Sequence, residues 1–162
     1  MASGSYDTNI KLWDIRNKNN YSTLKGHSKQ INSIDISPDS TMLLSGSEDN
    51  SCKVWDLRYP EKIICTYNEH TAPVIKVLFN PDDMMFASSS MDKTAKYYRC
   101  EAPSNFNFVS STDMVATSVT AIAFDEEGKV LFTAANDTLK IWNMAKKGML
   151  VETIESPWKG VQ

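Results

Sequence analysis

Cysteine is scarce in this 162-residue chain, and its three cysteines, Cys52, Cys65 and Cys100, are odd in number and form no CxxC pair. A disulfide framework needs paired cysteines and a zinc site needs closely spaced ligands, so neither is expected. Cys52 and Cys65 lie in strand-like runs, where a small buried thiol is the usual role. This usage favours a reducing compartment, and we expect a cytoplasmic protein.

Long apolar runs and a strong charge of one sign are also missing. No run approaches the length of a bilayer span, and the first residues have neither the basic nor the apolar block of a signal peptide. The net charge is −3, so nothing suggests a surface for nucleic acid or for an anionic membrane. We therefore expect protein partners, and neither nucleic acid nor membrane.

The usual motifs of catalysis are absent as well. The chain has no Gly-rich phosphate loop, no GxSxG and no HExxH. The carboxylate pairs at 82–83 and 126–127 lie in predicted turns, where solvated side chains are more common than an acid–base pair. We expect no enzyme activity, no metal and no cofactor.

What the chain does contain is an internal repeat marked by an aromatic residue. Trp-Asp occurs at 13–14 and 55–56, and the register continues to Tyr98 and Trp142 in steps of 42, 43 and 44 residues. An acidic residue stands six positions before the aromatic in three copies, and asparagine takes its place in the fourth: Asp7, Asp49, Asp92 and Asn136. A period of roughly 40–45 residues is that of WD repeats.

Each complete repeat carries four short apolar runs separated by turn-forming residues. The predicted strands are 31–37, 42–46, 52–56 and 62–67, then 74–79, 84–88, 95–98 and 106–110, then 119–124, 130–134, 139–142 and 150–154. Four strands per repeat make a propeller blade. The first copy has only 1–5 and 10–14 as its second and third strands.

The fold class expected is therefore all-β, a WD40-type β-propeller that is incomplete, with about three whole blades and part of another. Its repeat units are approximately 1–26, 27–68, 69–112 and 113–156, and 157–162 resemble the start of a further blade. We expect the chain to be part of a larger propeller, because propellers usually have 4–8 blades.

The two histidines, His27 and His70, fall between blades. They could act as acid–base groups or metal ligands, but a structural role in a buried hydrogen-bond network is the favoured interpretation. Counting the register from the aromatic predicts the network members of all four blades. They are Ser3, Asp7 and Trp13; His27, Ser45, Asp49 and Trp55; His70, Ser88 and Asp92; Thr133 and Trp142.

Residues that flank this network are the candidates for partner binding, because they should point to solvent. These candidates are Tyr6, Lys29, Gln30, Glu48, Thr71, Met91 and Lys93. Arg16 and Arg58 form a second set, since both end a Trp-Asp-x-Arg sequence that resembles substrate receptors of cullin-type ubiquitin ligases. That resemblance implies adaptor contacts by the two arginines; ordinary surface chemistry is the alternative.

Two stretches resemble the WD-repeat regulatory subunits of katanin, the microtubule-severing complex. One is 2–16, which is similar to the third blade of that family; the other is 137–142 with its shortened turn, followed by 151–154 and 158–161, which is similar to the sixth blade and its exit. The resemblance implies a scaffold that targets and regulates the catalytic katanin ATPase subunit on microtubules, at centrosomes or basal bodies. A substrate receptor of a cullin-type ubiquitin ligase is the alternative, as is an RNA-processing or other assembly scaffold, because the fold does not specify the function. The middle repeats match only the general pattern, with Tyr98 as one departure.

Overall fold

Four antiparallel sheets follow one another along the chain in the computed structural model, which describes residues 1–60, 62–82, 84–100, 108–111, 118–136, 138–146 and 148–155. Within these residues the first sheet has three strands and each of the other three has four. The strands are β1 (Ala2–Gly4), β2 (Ile10–Asp14), β3 (Asn19–Leu24), β4 (Ile31–Ile36), β5 (Met42–Ser47), β6 (Cys52–Asp56), β7 (Ile63–Tyr67), β8 (Val74–Phe79), β9 (Met85–Ser90), β10 (Ala95–Arg99), β11 (Phe108–Ser111), β12 (Ala121–Phe124), β13 (Val130–Ala135), β14 (Thr138–Asn143) and β15 (Met149–Glu155). The expected all-β fold with an incomplete first blade is confirmed.

The strands agree with the sequence pattern to within one or two residues at most ends. β12 begins two residues later than expected, because Val119 leaves the sheet and donates its backbone N–H to Ser90 O of the preceding sheet, at 3.3 Å. A 3₁₀ turn at Met144–Lys146 joins the last two strands and was not expected. Positions 106–107 of one predicted strand lie outside the described residues, as do 137, 112–117 and 157–162.

Neighbouring sheets pack face to face, and strand alternation decides which residues enter each interface. We call the face of a sheet that meets the next sheet along the chain its leading face, and the opposite face its trailing face. On the second sheet, Leu44 and Val54 belong to the leading face and pack with the third sheet. Leu43 and Trp55 belong to the trailing face and pack with the first sheet. Each sheet between two others therefore contributes to two cores.

Small residues allow the sheets to approach closely. A Cβ atom on Gly46 would lie 2.6 Å from Cγ1 of Val74 and 2.7 Å from Cγ1 of Val77, both in the third sheet. Gly4, at the same position of the first sheet, would bring its Cβ within 2.8 Å of Cγ2 of Ile31. These distances are shorter than van der Waals contact, so any side chain here would force the sheets apart.

Hydrogen bonds between sheets fix their register. Asn32 Nδ2 donates to Val74 O at 2.8 Å, and Phe79 N donates to Asp35 Oδ2 at 2.7 Å, so β4 is tied to β8 at both ends. Asn80 Nδ2 donates to Gly128 O, in the turn between β12 and β13 of the fourth sheet, at 2.8 Å. Because these polar groups bond across the interfaces, the sheets are held in one alignment as well as packed.

Candidate interaction surface and the networks beneath it

A buried histidine network supports one end of the second sheet. His27 Nδ1 lies 2.8 Å from Asp49 Oδ2, and His27 Nε2 lies 2.8 Å from Ser45 Oγ. Trp55 Nε1 donates to the same hydroxyl at 2.9 Å. The four residues predicted from the register are therefore brought together, with His27, Ser45 and Trp55 buried.

One arrangement of protons satisfies this whole network. The indole N–H donates to Ser45 Oγ, the hydroxyl donates to His27 Nε2, and the imidazole N–H on Nδ1 donates to the Asp49 carboxylate. Burial alone would raise the pKa of Asp49, but the hydrogen bonds from His27, Ser51 and Ser28 N outweigh it, and the pKa lies well below its usual range. Asp49 is therefore an ionised acceptor at the end of a chain of donors.

The third sheet repeats this arrangement. His70 Nδ1 lies 2.7 Å from Asp92 Oδ2, and His70 Nε2 lies 2.7 Å from Ser88 Oγ. Burial lowers the pKa of His70, against the opposing effect of Asp92, whereas hydrogen bonds from Thr94 and His70 overcome burial and lower the pKa of Asp92. Tyr98 takes the place of the tryptophan, and it is fully buried and stacks on Phe86 with ring centroids 4.8 Å apart.

Among the described residues, the first and fourth sheets keep only the aromatic part of the network. Trp13 Nε1 donates to Ser3 Oγ at 2.9 Å, and Trp142 Nε1 donates to Thr133 Oγ1 at 2.9 Å. Asp7 was expected in the buried network, but it is exposed. Its carboxylate accepts a hydrogen bond from the backbone N–H of Asn9 at 3.0 Å. Each of the two histidines bonds to the aspartate of another sheet, so no imidazole reaches this carboxylate among the described residues.

Sequence reasoning missed the residue that completes each histidine network. Ser51 Oγ donates to Asp49 Oδ1 at 2.5 Å, and Thr94 Oγ1 donates to Asp92 Oδ1 at 2.6 Å. The signal was present, since a hydroxyl residue follows each of these aspartates by two positions. Asp-x-Ser and Asp-x-Thr favour local turns in which the acid also accepts the backbone N–H of the hydroxyl residue.

The networks lie directly beneath a row of turns. We call this end of the sheets the upper rim, made of the hairpin turns 5–9, 48–51 and 91–94, position 136, and the connections 25–30 and 68–73. The tips are tied to the connections, because Glu48 N donates to Gln30 O and Met91 N donates to Pro73 O, both at 3.0 Å. Side chains on this rim are thus presented by a backbone whose position is fixed from below.

The partner-binding candidates divide into two groups on this rim. Five are exposed, led by Tyr6 at 84% and Met91 at 53%, and the other three are Lys29, Thr71 and Lys93. Gln30 and Glu48 differ from the expectation, since both are half-buried and Gln30 Nε2 donates to Glu48 Oε1 at 2.6 Å. Because the two side chains are hydrogen-bonded to each other, they stabilise the upper rim.

The two arginine candidates lie at the opposite end of the sheets, which we call the lower rim. Arg58 Nε and Nη2 donate to Asp56 at 3.0 and 2.9 Å, and Asp56 is held at a pKa of about 2 by these bonds. Arg16 lies 3.7 Å from Asp14 and is 93% exposed, whereas the Arg58 side chain is 65% exposed. Asp56 therefore orients the Arg58 guanidinium with two hydrogen bonds, whereas the Arg16 guanidinium has only a loose ion pair with Asp14.

The described part of the chain contains no cluster of three or more His, Cys, Asp or Glu residues that could hold a metal ion. Cys52, Cys65 and Cys100 are free thiols, and burial raises the pKa of Cys52 to about 12. A thiol with such a pKa is a poor nucleophile at neutral pH. Among the described residues, the structure has no helix of the length and apolarity that a membrane span requires.

Known proteins resemble the chain over most of its length. It is 32% identical over 147 residues to pre-mRNA-processing factor 19 homolog 2 of Arabidopsis thaliana, covering 89% of this chain and 28% of the relative. It is 29% identical to the U3 small nucleolar RNA-associated protein 15 homolog of Xenopus tropicalis, covering 99% and 30%, and 28% identical to the guanine nucleotide-binding protein subunit beta of Oryza sativa subsp. japonica, covering 88% and 40%.

The chain thus spans between about a quarter and two fifths of the length of these relatives. A family model described as "WD domain, G-beta repeat" matches residues 1–14, 18–56, 61–99 and 106–143, and each match ends with the strand that carries the repeated tryptophan or tyrosine of one sheet. The chain belongs to the WD-repeat family.

Proposed function

We propose that this chain is a non-catalytic protein-interaction scaffold whose partner binds the upper rim. The observation that carries the proposal is the pairing of a fixed backbone with exposed side chains at the same end of the sheets. The histidine networks hold the turns from below, while Tyr6 and Met91 stand in solvent above them. Binding residues are commonly carried by loops on a rigid support, and exposed aromatic and methionine side chains are enriched in interface cores.

The relatives support a scaffold more than any one activity. Their names concern pre-mRNA processing, association with U3 small nucleolar RNA, and a guanine nucleotide-binding protein subunit. A repeat shared by proteins with such different names fits a frame on which binding surfaces vary. The chain covers only part of each relative, so the identity of its partner is a proposal.

The upper rim is tested by matched substitutions on the two rims. Tyr6→Ala with Met91→Ala should weaken binding of the partner at least tenfold, because exposed anchors at an interface centre carry most of its energy. Tyr59→Ala is the control, since this tyrosine is also exposed and lies on the lower rim. Equal loss of binding in both variants, measured by titration calorimetry, would place the partner elsewhere.

The finer proposal for the partner is the catalytic katanin ATPase subunit on microtubules, in the cytoplasm at centrosomes or basal bodies. It rests on the resemblance of 2–16 and 137–142 to the katanin regulatory subunits, and none of the relatives named above is a katanin subunit. Immunoprecipitation from the source cells should recover a catalytic katanin subunit with this protein. Recovery of another stable complex without that subunit would overturn the finer proposal and leave the scaffold role standing.

A cullin-ligase substrate receptor is the second candidate, favoured by the placement of Arg16 and Arg58. Both guanidinium groups are exposed at the lower rim beside the aspartate of their own Trp-Asp pair, and Asp56 orients that of Arg58. Charge reversal with Arg16→Glu and Arg58→Glu should then abolish binding to a purified ligase adaptor, whereas Lys62→Glu, an exposed cation on the same rim, should not. Unchanged adaptor binding in the arginine variant would exclude this candidate.

A further inference from the structure

The three cysteines of the chain lie in one interface, between the second and third sheets. Cys52 is fully buried in the core of this interface, and Cys65 and Cys100 are half-buried and pack against the same core. The chain has no other cysteine. One buried thiol and two half-buried thiols are therefore gathered around a single set of apolar side chains.

Strand register places Cys65 and Cys100 on the two faces that meet. Cys65 is paired with Val54 in the ladder of β6 and β7, and Val54 belongs to the leading face of the second sheet. Cys100 N donates to Met84 O at 2.8 Å, which continues the pairing of β10 with β9 by one residue. Because alternate residues of a strand share a face, Cys100 lies on the same face as Tyr98, which packs on the second sheet.

The hydroxyl group of Tyr67 connects the surroundings of the two thiols. It donates to Arg99 O at 3.3 Å, and Arg99 immediately precedes Cys100 in the chain. The Cys65 thiol, two positions before Tyr67 on β7, is hydrogen-bonded to the same hydroxyl. Burial raises the pKa of Tyr67, and Cys65 and Cys100 raise it further, so both thiols lie close to this one group.

We propose that Cys65 and Cys100 form a site of reversible oxidation, at which a hydroperoxide converts the two thiols into a disulfide that links the second sheet to the third. One thiolate attacks an oxygen of the hydroperoxide, which breaks the O–O bond, gives a sulfenic acid and releases water or an alcohol. The second thiol then attacks the sulfenic sulfur, the S–S bond forms, and water leaves with the remaining proton. The two electrons that the hydroperoxide gains come from the two sulfurs, so no other oxidant is needed.

Cys52 is the internal reference for this site. It is 1% exposed, and burial raises the pKa of its thiol to about 12, so it should neither react with the hydroperoxide nor pair with the other two cysteines. A bond that forms only on oxidation also suits a reducing compartment, where disulfides are transient. The site involves none of the upper-rim residues that the proposed function uses, so either proposal can fail without the other.

Peptide mass spectrometry of the oxidised chain tests this proposal. The reduced 162-residue chain is treated with hydrogen peroxide, alkylated with iodoacetamide in urea and digested with trypsin, whose sites after Lys53, Lys62 and Arg99 leave each cysteine in a separate peptide. The Cys65 and Cys100 peptides should form one linked species that separates on reduction with dithiothreitol, while the Cys52 peptide should be alkylated. Separate oxidation of Cys65 and Cys100, a link to Cys52, or equal alkylation of all three would overturn the proposal.

Matched variants and a melting experiment complete the test. Cys65→Ser and Cys100→Ser should each lose the linked species, whereas Cys52→Ala is the control and should keep it. The yield should not depend on protein concentration, because the bond lies within one molecule; linked dimers on a non-reducing gel would overturn the proposal. The linked wild type should melt roughly 5–15 °C above the reduced chain, because the bond closes a long loop. A linked chain with an unchanged Tm would mean that the bond forms only after local unfolding, which would also overturn the proposal.

Discussion

Replacing Asp49 with asparagine removes one negative charge from the second-sheet network and keeps the size of the side chain. Oδ2 of Asp49 accepts from His27 Nδ1 and Ser28 N, and Oδ1 accepts from Ser51 N and Ser51 Oγ, at 2.5–3.0 Å. Whichever way an amide is turned, its NH₂ group faces two donors. The variant therefore loses about two hydrogen bonds to a charged group.

The expected cost follows from these contacts. A hydrogen bond to a charged group contributes about 1.5–3 kcal/mol, and some of this is recovered by water because the Asp49 side chain is 11% exposed. We expect Asp49→Asn to lower the free energy of unfolding by about 2–4 kcal/mol, which for a chain of this length is a fall in Tm of roughly 4–16 °C. Urea unfolding and differential scanning calorimetry measure the two quantities.

Asp7→Asn is the matched control, because Asp7 holds the same register but bonds to neither histidine among the described residues. Its exposed carboxylate accepts from Asn9 N, and an amide oxygen can accept the same bond, so Tm should not change measurably. A double-mutant cycle of Asp49→Asn with His27→Gln should show a coupling above about 0.5 kcal/mol. Equal effects of the two aspartate variants, or additivity in the cycle, would refute the argument for a network.

Three further predictions concern pH, packing and thiol chemistry. Because the pKa of His70 is below its usual 6.5 and that of Asp92 is below its usual 3.8, the unfolded chain takes up protons first on acidification. The free energy of unfolding from urea titrations should therefore fall below pH 6.5 and fall further below pH 3.8; a flat profile would contradict the shifts. Gly46→Ala should cost about 1–3 kcal/mol in the same assay, because its Cβ would lie 2.6 Å from Val74, and an unchanged midpoint would contradict the close approach. Cys52 should resist iodoacetamide at pH 8 in the native protein and react in urea, as followed by peptide mass spectrometry; rapid native labelling would contradict its burial.

Much of the fold could be predicted from the sequence because the same pattern of residue types recurs in all four repeats. The aromatic residues of β2, β6, β10 and β14 and the small hydroxyl residue of the preceding strand recur at nearly constant spacing, which sets strand, turn and register together. Val119 shows where this stops. It continues the apolar run of β12, but its backbone bonds to the neighbouring sheet, and a run of residue types does not specify that partner.

In the candidate site, the buried networks were easier to predict than the side chains on the upper rim above them. The His27 network could be predicted because its members are buried and each polar atom requires a partner. The exposure of Gln30 and Glu48 could not be predicted, since it depends on which side chain lies opposite after folding. Their contact joins a connection to a hairpin turn. Asp7 shows the same limit, because the repeat marks its position, while its exposure and its bond to Asn9 N are known only from the structure.

The bonds that join each sheet to the next have a consequence for how the molecule comes apart. Asn32 and Asp35 contact residues only 42 and 44 positions further along the chain, so each sheet is stabilised mainly by its immediate neighbours. Stability then behaves as a sum of unit and nearest-neighbour contributions along a line. Among the described residues, the first and fourth sheets each have one neighbouring sheet, and the second and third sheets have two. Unfolding should therefore begin at the ends and spread inward, with β5 and β9 as the last strands to exchange their amide protons.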